Sequence, residues 1–190
     1  MATYLLRHGE SEGNCHAGYF GRIDTLLTEH GKEQAILAAS KLSELLRHNS
    51  TREVVIFTSP LQRAFRTACI VEEKLSVPCR IEVVPNLIEI DFGCWEGMNY
   101  EEIKEQYPEE CEEWQADWIN FQFPKGESFR RFYQRIEWCW RGIERKLAAF
   151  EGDSVLVSHG GVLKVIRLIN ENRPLDDFWK LNFSLGEVQQ

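Results

Sequence analysis

The chain has 190 residues, 43% of them hydrophobic and 27% charged, a balance that supports one globular domain over 1–190 and argues against disorder. Twenty-two Lys and Arg against thirty Asp and Glu leave a formal charge of -8, which argues against a nucleic-acid grip while permitting a local cationic pocket for a small anion. No apolar run approaches the length of a membrane span, and the six cysteines contain no CxxC pair or zinc-like spacing, so no membrane role, no metal and a reducing, cytoplasmic setting are expected.

Short apolar runs alternate with amphipathic stretches, the pattern of a layered α/β fold. The first predicted strand, Thr3–Leu6, runs into Arg7-His8-Gly9-Glu10, which puts a cation and an imidazole at a strand end with a glycine beside them. Ala35, Ala38, Ala39, Leu42, Leu45 and Leu46 then mark one face of a helix over about 29–47. A second strand is predicted at Val54–Thr58. Ser59-Pro60-Leu61-Gln62 after it reads as a capping box with proline at the first helical position, placing Arg63 in the first turn of the next helix.

A third strand is predicted at Arg80–Val84. The stretch from about 95 to 125, rich in glutamates and carrying Trp95, Trp114 and Trp118, breaks the alternation and reads as a helical lid over the sheet edge. Its acidic run is a solvated face rather than a site. A long helix follows from Phe129 to Phe150, then a strand at Ser154–Ser158 that delivers His159, Gly160 and Gly161 at the start of a last helix. A helix N-terminus there offers N–H groups and positive potential to an anion. A final edge strand is expected to finish within Phe183–Val188, with a shortened C-terminus.

Three strands therefore end in a histidine or a cation at one edge of one sheet, where ligands of open α/β sheets collect. Like charges gathered in this way repel unless an anion joins them, and a phosphoryl group fits arginine's planar fork. His16, His30 and His48 have no such context and read as structural.

With these motifs the chain resembles the histidine phosphatase superfamily, in the branch of cofactor-dependent phosphoglycerate mutases and small phosphatases. The resemblance rests on Arg7-His8-Gly9-Glu10 with Asn14, on Thr58-Ser59-Pro60-Leu61-Gln62-Arg63-Ala64, and on Ser158-His159-Gly160-Gly161. It implies a three-layer α/β/α sandwich with a mostly parallel central sheet and a helical lid insertion. It also implies a phosphohistidine on His8, phosphate contacts from Arg7, Asn14, Arg63, His159 and Gly160, and a proton donor at Glu89, with Asp91 as the alternative and Glu96 structural. No cofactor is implied; the partner is a small phosphate monoester, and relatives allow a homodimer.

The segment Glu89 to Trp95, the lid tryptophans and Gly126-Glu127-Ser128-Phe129 resemble α-ribazole phosphatases of cobalamin assembly. Broad-specificity or sugar phosphate phosphatases, a phosphoglycerate mutase and an inactive phosphate-binding module are the alternatives. One departure is Leu26, where the family has proline in Asp24-Thr25-Leu26-Leu27-Thr28, a change expected to loosen that loop.

Overall fold

The computed structural model describes residues 2–49 and 51–190. Five strands, β1 (Thr3–Arg7), β2 (Val54–Thr58), β3 (Cys79–Val83), β4 (Asp153–Ser158) and β5 (Val188–Gln189), form one sheet in the order β3-β2-β4-β1-β5. All neighbours run parallel except β5, which pairs antiparallel with β1. Among the described residues six α-helices accompany them: α1 (Glu29–His48), α2 (Gln62–Lys74), α3 (Tyr100–Gln106), α4 (Pro108–Ala116), α5 (Phe129–Leu147) and α6 (Gly160–Asn170).

The strand period decides which helix lies where. Tyr4, Leu6, Val54, Ile56, Val155 and Val157 face one side and pack with Ala38, Ala39 and Leu42 of α1 and Ala68 and Val71 of α2. Leu5, Val55, Phe57 and Leu156 face the other and pack with Phe132, Ile136 and Ile143 of α5 and Val162 and Ile166 of α6. Three layers result, with the lid helices α3 and α4 joined to the second core through Ile103 and Cys111-flanking aromatics such as Tyr107 and Trp114. Among the described residues no helix is long and apolar enough to cross a membrane.

Several boundaries differ from the sequence reading. The third strand is shifted by one residue and lies half exposed on the sheet edge. The long helix ends at Leu147, three residues early, and the last helix starts at Gly160 with His159 as its N-cap. The final strand is Val188–Gln189, so Phe183 lies outside it.

The capping box at Ser59 does not form. Helix α2 begins at Gln62 with Leu61 as its N-cap, and Asp24 Oδ1 receives the Gln62 N–H at 2.8 Å in place of a local cap. The hydroxyl of Ser59 accepts the Leu61 N–H, at 3.3 Å, and not the amide that a capping box would use, and it meets a residue 100 positions away. Around Leu26, Glu12 N donates to Leu26 O at 2.9 Å and Thr28 N to Glu10 O at 3.0 Å, so the segment is bonded to residues 10–12 on both sides of the leucine. The cysteines are all free thiols. Cys111 and Cys139 are buried, Cys69, Cys79 and Cys94 are half-buried, and Cys15 is exposed.

Candidate active site

Strands β2, β4 and β1 are neighbours in the sheet, and their ends are level: Arg7 pairs with Ser158, and Thr58 with Val157. The ladder runs one residue further, His8 N donating to Ser158 O at 3.0 Å and Ser59 N to Val157 O at 3.2 Å. His8, His159 and the Ser59–Arg63 turn consequently leave the sheet side by side. The two imidazoles meet edge to face with ring centroids 5.2 Å apart.

The ring of His8 is 3% exposed, and its Nδ1 lies 2.7 Å from the Gly9 carbonyl, to which only a protonated nitrogen can donate. Burial, helped by the charges of Arg63 and Arg7, pushes its pKa down to about 3. His8 is therefore a neutral imidazole at neutral pH, with Nε2 left as the lone-pair nitrogen.

His159, 1% exposed, is held from the other side. Ser59 Oγ sits 2.8 Å from its Nε2, accepts the Leu61 N–H at 3.3 Å and, among the described residues, has no other acceptor for its own proton, so the hydroxyl donates to the ring. That leaves the proton on Nδ1, which is buried with no partner. Burial and the neighbouring His8, Arg63 and Arg7 hold the His159 pKa well below the usual imidazole value. A second buried donor without a partner is Arg7 Nε, while Arg7 NH1 donates to Phe183 O at 2.8 Å. Two orphaned donors beside an imidazole lone pair describe a place for an anion with several acceptor oxygens.

Arg63, 2% exposed, donates NH1 to Ile23 O at 2.8 Å and NH2 to Gly21 O at 2.7 Å. Those carbonyls are themselves fixed. The carboxylate of Glu96 accepts the amides of Gly21 at 3.1 Å, Arg22 at 2.8 Å, Ile23 at 3.1 Å and Phe92 at 3.2 Å. Thr67 ties the first and second motifs together, receiving Gly9 N at 3.2 Å and donating to Arg63 O at 2.8 Å. Asn14 lies in a 3-10 turn, Glu12–Cys15, exposed, its Oδ1 accepting from the amide and hydroxyl of Ser11 at 3.0 Å each.

Gly160 lies beside Arg7, where an added Cβ would only touch the guanidinium, at 3.4 Å. Gly161 leaves room for the other candidate: its N–H donates to Glu89 Oε2 at 2.9 Å, and a Cβ there would meet Glu89 Oε1 at 2.5 Å. Glu89 Oε1 accepts the Ile90 amide at 3.0 Å, and the residue is 9% exposed. Asp91 is engaged elsewhere, with Oδ1 on the Gly93 amide at 2.9 Å and Oδ2 3.8 Å from Arg22.

Beside Glu89 and Gly161 opens a cavity of about 200 Å³ walled by aromatic rings: Tyr19, Phe92, Trp114, Trp118, Phe129, Phe178 and Trp179. Trp118 packs on Phe129 and Trp179 with centroids 4.5 and 5.3 Å apart, and Trp114 rests on buried Trp95 at 6.1 Å. Thus the lid tryptophans do both things, fastening the lid and lining the cavity.

Sequence reasoning missed Ser59 as a histidine partner, Thr67, Tyr19, and the Phe178-Trp179 wall. The aromatic pair beyond α6 was the one available signal. It also missed Lys164, half-buried, whose ammonium lies 5.0 Å from the Phe178 ring and whose pKa is lowered by burial and by Arg7.

Residues 3–190 match the profile of the Histidine phosphatase superfamily (branch 1). The chain belongs to this superfamily. It is 36% identical over 188 residues to the adenosylcobalamin/α-ribazole phosphatase of Salmonella typhimurium, covering 98% of this chain and 87% of that one. It is 34% identical over 177 residues to phosphoserine phosphatase 1 of Hydrogenobacter thermophilus, covering 92% and 78%. The crystal structure of the α-ribazole phosphatase from Shigella flexneri superposes with a TM-score of 0.84 at 29% identity, over 99% of this chain and 88% of that one. Membership supports phosphatase activity for this histidine phosphatase in general.

Proposed function

We propose that this histidine phosphatase hydrolyses a phosphate monoester through a phosphohistidine on His8. The observation that carries the reading is the hydrogen bond from His8 Nδ1 to Gly9 O, which leaves a neutral Nε2 facing a cluster of buried cationic groups. In this reading Nε2 attacks phosphorus in line with the departing oxygen. Arg7 Nε, His159 Nδ1, Arg63 and the Gly160 end of α6 bind the equatorial oxygens, with Asn14 Nδ2 at the rim. Glu89 protonates the leaving oxygen, then takes a proton from the water that cleaves the N–P bond, so that alcohol and inorganic phosphate are released. Asp91 is less suited, because its carboxylate faces Arg22, whereas the charge of Glu89 acts on both Arg7 and Arg63.

For the substrate we favour α-ribazole 5′-phosphate. The support is the aromatic cavity next to Glu89, whose flat apolar walls suit a benzimidazole attached to the leaving alcohol. Lys164, whose ammonium lies 5.0 Å from the Phe178 ring of the cavity wall, supports a second reading, a small leaving group bearing a carboxylate, such as that of phosphoserine.

Phosphate release in EDTA from α-ribazole phosphate, phosphoserine, phosphoglycerate, fructose bisphosphate and p-nitrophenyl phosphate tests both levels. His8→Ala is expected to lower turnover of every compound by more than about a thousandfold, and activity surviving that change would remove the nucleophile assignment. Trp114→Ala is expected to impair α-ribazole phosphate far more than p-nitrophenyl phosphate; equal losses would sink the α-ribazole reading.

A further inference from the structure

The segment that carries Glu89 has no regular structure of its own. It leaves the 3-10 turn Pro85–Leu87 and runs without helix or strand as far as Phe92. A carboxylate on such a segment must be placed from outside, and one side chain of α5 does it. Arg135 NH1 donates to the carbonyls of Asn86 and Ile88, each at 2.8 Å, and NH2 to the carbonyl of Glu89 itself at 3.3 Å. Its remaining donors go to Glu127, Nε at 3.3 Å and NH2 at 2.5 Å. All five guanidinium N–H groups are thereby engaged.

Glu127 grips the same segment just beyond the acid. Its Oε1 accepts the Asp91 amide at 3.1 Å, and its own amide donates to Asp91 O at 3.0 Å. The side chains of Arg135 and Glu127 are only 17% and 14% exposed, so their bonds are poorly screened and hold the chain firmly on both sides of Glu89. Arg22, at 3.6 Å from Glu127, closes the cluster toward the loop that holds Arg63.

We propose that Arg135, locked by Glu127, is the positioning residue for the proton donor, an inference that rests on Glu89 having that role. Arg135 touches no reacting atom. It fixes three carbonyls of residues 86–89, and so where the carboxylate stands relative to the leaving oxygen. In the transfer of the phosphoryl group to His8, its contribution falls on leaving-group protonation. It matters for an alkyl ester, whose alkoxide departs poorly, and little for an activated aryl ester, whose phenolate departs unaided.

The experiment compares phenethyl phosphate with dinitrophenyl phosphate, two aromatic probes that differ in leaving group, for wild type, Arg135→Lys, Glu127→Gln and Glu89→Gln. Lysine keeps the charge but cannot span three carbonyls and a carboxylate. Arg135→Lys is expected to lower kcat/KM, which reports phosphoryl transfer to His8 and not the later hydrolysis, by roughly 10- to 100-fold on phenethyl phosphate and by less than about 3-fold on dinitrophenyl phosphate, as for a misplaced acid. Glu127→Gln should show the same selectivity to a smaller extent. Equal losses on both probes in these variants, or full phenethyl phosphate turnover in Arg135→Lys, would overturn the proposal. If Arg135→Lys fails to fold, Glu127→Gln decides on the same criterion, since it leaves the arginine in place. Selectivity in Glu89→Gln without selectivity in the other two removes the positioning role only. No selectivity in Glu89→Gln removes the proton-donor reading, and the positioning role with it.

Discussion

The bond from His8 Nδ1 to the Gly9 carbonyl settles the tautomer, and burial beside Arg63 and Arg7 settles the charge. Both have a consequence for pH. The folded ring resists protonation until about pH 3, whereas the same ring in an unfolded chain takes a proton near its ordinary value of 6.5. Between those values the unfolded state binds the extra proton, so stability is undiminished above pH 6.5 and falls as the pH drops below it. At pH 5 the histidine accounts for about 2 kcal/mol of lost stability. Denaturant unfolding of wild type and His8→Asn at pH 7.5 and 5 should show the variant losing less by about that amount. An equal loss in both proteins would mean that His8 is protonated in the folded state. The direction is the same for His159, whose pKa is also depressed by burial.

At the level of elements, the site depends on a loop that contributes no catalytic group. Residues 21–23 offer two carbonyls to Arg63, and the carboxylate of Glu96 holds all three of their amides. Glu96→Gln keeps the shape but replaces charged acceptors with a neutral amide that can supply one acceptor oxygen. It is expected to destabilise the fold by about 2–3 kcal/mol and, with Arg63 less firmly held, to weaken inhibition by inorganic phosphate roughly tenfold, about 1.4 kcal/mol. A melting curve and an inhibition constant check the two effects separately. Unchanged inhibition in a destabilised variant would confine Glu96 to folding.

This element also marks the limit of what a sequence can tell. Arg7, His8, Arg63 and His159 were legible because each follows an apolar strand and precedes a turn or helix start, a local pattern. Glu96 bonds to residues 73–75 positions away, and nothing near it in the chain announces that. Ser59 was misread for the complementary reason: the local rule offers its hydroxyl to the helix, and tertiary structure gives it to His159. The aromatic wall at Phe178 and Trp179 lies in a 3-10 segment of six residues, two turns, too short for a period to be read.

For the molecule as a whole, an acidic chain of net charge -8 encloses a pocket of arginines and histidines at the meeting point of its three central strands. The pocket exacts a cost within the protein itself. Arg7 Nε and His159 Nδ1 are buried without acceptors, and each such donor costs about 1–3 kcal/mol relative to a satisfied one. Any ligand that supplies the acceptors is therefore linked to folding, and the simplest is inorganic phosphate, the end product of the proposed reaction. At a concentration 100 times its dissociation constant it would add about 2.7 kcal/mol to the stability of the fold. The melting temperature should climb with phosphate but not with chloride at matched ionic strength, and a flat response would mean that the orphaned donors do not bind it. By this linkage the product acts as a folding chaperone for its own enzyme: the conditions that most inhibit turnover are those in which the protein best survives heat and proteolysis.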